Sequence, residues 1–136
     1  MENIDLNYIC TTIGNLARMP IRIFQNSAQI FYRSVVYLPK DPITAFRDEI
    51  LAVDSHVSYF VTPYFHYYGI LNSGEYKIII GPTFQVKQSD QTLRELAFLC
   101  DVTKDETKEF LDGMHSILPM PLDSILQILC VVNYIV

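Results

Sequence analysis

Residues 64–82 read YFHYYGIL, then NSGE, then YKIIIGP. Two runs rich in aromatic and β-branched side chains flank a short polar segment. Gly74 holds its third place, where a tight turn needs a residue at ease with positive φ. The stretch predicts a β-hairpin. Its second arm is apolar at Ile78, Ile79 and Ile80 in succession. Side chains alternate along a strand, so both faces of this arm need cover, which places it at the centre of a sheet. Gly81-Pro82 is read as its end.

Upstream of the hairpin, HVSYFVTP continues the strand-like pattern, with Pro63 forcing an edge, a bulge or a corner. Before that, ITAFRDEILAVD (43–54) has helical spacing, with Ile43, Phe46, Ile50 and Val53 on one face. PIRIF and QIFYRSVVY read as two short strands about the polar turn Gln25-Asn26-Ser27. The chain begins with an amphipathic helix over Ile4–Leu16, its apolar stripe drawn through Ile4, Tyr8, Ile9, Thr12, Ile13 and Leu16, with Asn3 or Asp5 as its N-terminal cap. Downstream everything is helical. Ser89 caps one helix, Thr103 and Glu106 fit a capping box for a second, and Pro119-Met120-Pro121 introduces a third with Pro121 in its first turn. The expected fold is α+β, an antiparallel sheet flanked by helices, in one domain over residues 1–136.

Composition narrows the function. Half of the 136 residues are apolar and the formal charge is −5, with ten basic residues scattered between Arg18 and Lys108. Such a balance repels phosphate backbones and anionic membrane surfaces. The N-terminus has neither a basic start nor a continuous apolar run, and the apolar ILQILCVVNYIV is well short of the ~20 residues that cross a bilayer. Cys10, Cys100 and Cys130 stand far apart without ligand spacing and read as buried, reduced thiols of a cytoplasmic protein.

Residues 93–111, LRELAFLCDVTKDETKEFL, have the outline of a helix-turn-helix. The segment that would enter the major groove carries Lys104 and Lys108 against Asp105, Glu106, Glu109 and Asp112, with no Arg, Asn or Gln to read a base. A helical hairpin packed on the sheet explains the pattern without those penalties. Nor does catalysis have a signature: His56, His66 and His115 sit in no zinc motif, no GxSxG elbow occurs, and the five glycines form no phosphate loop. The expectation is a non-enzymatic protein with no metal and no cofactor. A small hydrolase or isomerase would need His66 or His115 near a carboxylate or thiol inside a cleft.

Two features point to binding. Residues 59–68 hold six aromatics and one His. Read as strand, Tyr64, His66 and Tyr68 share one face, which offers hydroxyls and an imidazole on an apolar wall. With Tyr59 they are the candidate ligand contacts. An aromatic ladder packed against a neighbouring strand is the bland explanation of the same residues. The last helix is apolar nearly all the way round, from Ile125 to Val136, so a partner must cover what its own domain cannot. Ile125, Leu129, Val132 and Ile135 are the candidate homodimer interface.

Taken together, the YFHYYGIL–NSGE–YKIIIGP hairpin, the LPMP turn at 118–121 and the terminal apolar helix resemble the N-terminal sensory region of AraC-type bacterial transcriptional regulators. The resemblance implies a GAF- or PAS-like (profilin-like) signal-input domain, dimeric and responsive to a small-molecule effector. It also implies excision from a longer regulator whose DNA-binding domain would follow residue 136, so that DNA contact belongs to that missing domain. The alternative is a profilin-like adaptor that contacts protein partners without a small-molecule ligand.

Overall fold

A computed structural model describes residues 3–135, with side chains from Leu6 to Ile135. Helix α1 (Asn3–Ala17) leads into the β1 (Ile21–Gln25) and β2 (Ala28–Arg33) hairpin. A 3-10 turn (Pro42–Ala45) and α2 (Arg47–Leu51) precede β3 (Val57–Val61), β4 (Tyr67–Ser73) and β5 (Tyr76–Thr83). Helices α3 (Asp90–Leu99), α4 (Thr107–Ser116) and α5 (Leu122–Ile135) complete the chain, with a 3-10 turn at Lys104–Glu106 opening α4. The strands form one antiparallel sheet in the order β2-β1-β5-β4-β3. The expected α+β class and the central place of β5 are both observed. Ile78, Ile79 and Ile80 have no exposed surface.

The β4–β5 hairpin turns through Gly74 at φ +60°, pairing Ser73 with Tyr76. Strand β5 does not stop at Gly81-Pro82. It runs on to Thr83, which pairs with Tyr67, and the Gly81 amide bonds the Pro20 carbonyl at 2.8 Å. A register shift between Tyr67 and Gly69 takes up the irregularity, so Gly81-Pro82 forms a bulge within β5 instead of its end.

Register sorts the sheet into two faces. Ile21, Ile23, Ile78, Ile80, Gly69 and Leu71 point one way, toward α1 and α5. The contact is set by glycines. A Cβ on Gly14 of α1 would stand 2.8 Å from Ile21 Cγ2, and a Cβ on Gly69 of β4 would run into Ile125 and Leu129 of α5. This explains why α1 is rolled from the expected stripe. Its buried positions are Leu6, Cys10, Gly14 and Ala17, with Ile9 and Ile13 at the flank, while Tyr8 and Leu16 stand in solvent. Ile4, the proposed cap at Asn3 or Asp5, and Val136 lie outside the described side chains.

The opposite face carries Arg22, Phe24, Ile70, Tyr68 and Phe60, and the segment from Asp41 to α2 packs on it with α3. Phe46 meets Phe60 at 6.2 Å between ring centroids; of the expected helical face Ile43, Phe46 and Ile50 are buried, while Val53 lies beyond the end of α2 and is only partly buried. Arg22 is fully buried here. Its Nε and Nη2 bond Asp41 Oδ2 and Oδ1 at 3.2 and 2.9 Å, and Nη1 bonds the Gly81 carbonyl at 3.1 Å. Its guanidinium lies 5.4 Å from the Tyr32 ring centre and 5.9 Å from that of Tyr68. The same Asp41 carboxylate accepts from the Ile43 amide, capping the 3-10 turn.

The α3–α4 hairpin is packed, not free to enter a groove. Leu93, Leu96 and Ala97 of α3 and Phe110, Leu111 and Met114 of α4 are buried. Ser89 caps α3 as expected, accepting from Thr92 N at 3.2 Å, and Asp101 takes φ +60° at the junction. The capping box is not closed: Thr103 Oγ1 bonds the Glu106 carboxylate instead of a backbone amide, because a 3-10 turn intervenes before α4. Pro121 sits just before α5 and offers its carbonyl to Ser124 N and Ile125 N.

Asp41→Ala removes the carboxylate from a buried guanidinium and from a helix cap at once. The expected loss is about 3–5 kcal/mol of unfolding free energy in urea titration, far above that of Asp48→Ala on the exposed side of α2.

Candidate functional site

The four candidate ligand contacts do not share a face, and the turn between β3 and β4 is the reason. Thr62 to His66 leave the strand. Thr62 N bonds the His66 carbonyl at 2.8 Å, and Phe65 N bonds the Thr62 carbonyl at 3.0 Å. Thr62 Oγ1 accepts from the amides of Tyr64 at 3.2 Å and His66 at 3.3 Å. Pro63 therefore marks a corner, and Tyr64 and His66 lie outside β4. Phe65 takes φ +65° at the tip, a conformation that bulky residues rarely adopt.

Each candidate ends in a different setting. Tyr59 pairs with Gly69 and lies on the α5 side at the edge strand, exposed. Tyr64 is half-buried, 6.3 Å from the Phe46 ring, and lines an open groove of about 480 Å³ with Gln91, Arg94, Glu95, Phe98 and Leu99 of α3. Tyr68 is buried against Arg22 on the face opposite α1 and α5, and burial raises its phenol well above the usual range. His66 is buried with its ring edge-on to Phe84 at 5.9 Å, and its Nε2 has no hydrogen-bond partner among the described residues. Two of the four are thus core side chains.

Helix α5 divides the other candidate set. Ile125, Leu129 and Val132 are buried within their own domain, the first two seated over Gly69 of the sheet. As interface residues for a second copy they are excluded, because their own domain already covers them. Ile135 stays exposed, and with Val131 and Tyr134 it forms a different stripe at three- and four-residue spacing. Tyr134 is 92 % exposed.

Titratable groups elsewhere offer little chemistry. His115 Nε2 meets Asp90 Oδ1 at 2.7 Å, joining the last turn of α4 to the first of α3, and this bond holds the Asp90 carboxyl below its ordinary value. The pair lies at the surface, with the Asp90 side chain more than half exposed. Burial pushes the Cys10 thiol up to about 12 and that of Cys100 to about 11, both expected as buried cysteines. Cys130 departs from that expectation: it is exposed on α5. Among the described residues no group of three or more His, Cys, Asp or Glu is placed to hold a metal ion, and no helix is long and apolar enough to cross a membrane.

No family model, curated protein or solved structure matches this chain. The fold defines the class, an α+β domain built on one antiparallel sheet.

Residues of consequence that sequence reasoning passed over are Arg22, Asp41, Phe65 and Tyr67. Arg22 had a signal: a lone charge between Ile21 and Ile23 on a strand that turns out to be second from the edge.

Burial lowers the His66 pKa from an ordinary 6.5 to about 4. Between those values the unfolded chain binds the proton and the folded one does not. The stability it contributes is therefore full above about pH 6.5 and falls as pH drops toward 4, by up to roughly 3 kcal/mol. Urea unfolding across that window should show the decline, and His66→Leu should flatten it.

Proposed function

We propose that the chain is a non-catalytic regulatory input and dimerisation domain of a bacterial transcriptional regulator, of the AraC type its sequence resembles. It acts in the cytoplasm, and DNA contact is left to a separate domain. The single antiparallel sheet, with its helical insertion between β2 and β3 on one face, supports the PAS-like form of this reading. The observation that carries it is the one-sided seating of α5. Three apolar residues are buried within the domain while Val131, Tyr134 and Ile135 face outward. A second copy covering that stripe couples association to the packing of α5. An effector that favours one packing then biases whatever α5 is joined to, by differential affinity for the two states.

A profilin-like adaptor without a small-molecule ligand is the second reading. It is favoured by the enclosure of His66 and Tyr68 in packed core.

Sedimentation velocity over a wide concentration range tests the association. A reversible monomer–dimer equilibrium is expected, and Val131→Asp should shift it to monomer without lowering the thermal midpoint, since the position is already exposed. A wild-type chain that stays monomeric at high concentration removes the dimer from the proposal.

A further inference from the structure

The far end of the α5 face holds a second apolar feature, at the opposite end of the helix from the exposed stripe. Val61 pairs with Tyr67, which places both side chains on the α5 side of the sheet, where Leu122 begins the helix. With Phe65, Gln85 and Val86 these residues line a cleft of about 350 Å³. Its size falls at the small end of ligand pockets, roughly 300–1,000 Å³.

Two observations set it apart from ordinary surface. The first is Phe65, 74 % exposed and held by the Thr62 hydrogen bonds at positive φ, so that a strained aromatic is presented to the cleft instead of folded into the core. Val86, which lines the same cleft, is equally bare. The second is Tyr67. Its side chain is only 5 % exposed, yet its buried hydroxyl has no hydrogen-bond partner among the described residues. A buried polar group left in that state is costly, and because Tyr67 lines the cleft, a ligand oxygen admitted past its ring would answer the hydroxyl. The lining carries no carboxylate, ammonium or guanidinium, so an ionised ligand would lose its hydration without a counter-charge.

We propose that this cleft binds a neutral, mostly apolar small molecule with one hydrogen-bonding oxygen, packed against Phe65 and Val86 and received by the Tyr67 hydroxyl. The site stands on its own geometry and does not depend on the regulatory reading or on dimerisation.

The test uses two probes that differ in one oxygen, 4-propylphenol and propylbenzene, titrated into the chain and followed by methyl NMR. Saturable shifts are expected at Val61, Val86 and Leu122, with the phenol bound more tightly. Tyr67→Phe should weaken the phenol about three- to tenfold and leave propylbenzene unchanged. Val86→Asp, at an exposed position that the fold does not need, should abolish both. Unchanged methyl signals from Ile78, Ile79 and Ile80 report an intact core in each variant. The proposal is overturned if neither probe saturates, if Tyr67→Phe binds both as the parent does, or if the shifts centre on Val131 and Ile135.

Discussion

A guanidinium without access to water must have its donors answered, and Arg22 organises much of this molecule by that requirement. Asp41 takes two of them, the Gly81 carbonyl takes another, and Tyr32 and Tyr68 bracket the plane. Each partner belongs to a different part of the fold: the helical insertion, the central strand, the edge hairpin and β4. The buried charge therefore fixes where the insertion starts on the sheet, since Asp41 also caps its first turn. Hydrophobic packing of Ile43, Phe46 and Ile50 supplies attraction without direction, whereas a fork-shaped pair supplies both.

The other face is governed by the absence of side chains. Gly14 and Gly69 admit Ile21 and the α5 pair Ile125 and Leu129 at distances no Cβ would allow. One helix is thereby set over β1 and another over β4. Because the contact on β4 selects one stripe of an almost uniformly apolar helix, the remaining stripe is exposed by geometry and not by composition. The regulatory reading and the adaptor reading share this surface and differ in what lies beneath the sheet.

Much of the architecture was legible in the chain because it rests on local patterns. Gly74 between two β-rich runs marks the hairpin, three successive isoleucines mark a strand covered twice, and Ser89 marks a helix start. The errors arise where a distant residue decides. Nothing within 122–136 says which apolar stripe meets the sheet, for Gly69 makes that choice from another strand. The roll of α1 is likewise settled where Gly14 meets Ile21. The aromatic stretch misleads for a different reason. TPYFH has no glycine, and the positive φ of its corner is borne by Phe65, the side chain least suited to advertise it, so the run reads as continuous strand. The candidate site inherited that error: Tyr64, His66 and Tyr68 alternate on paper and part company at Thr62.

The cysteines leave the experimenter an unplanned convenience. Cys10 and Cys100 are enclosed, and burial keeps their thiolates scarce near neutrality, whereas Cys130 lies open on α5 beside Val131. A maleimide dye or spin label should thus attach at one position of the unaltered sequence, on the outward side of the helix. Distances between such tags, or their quenching, would follow that helix directly without engineering a single residue.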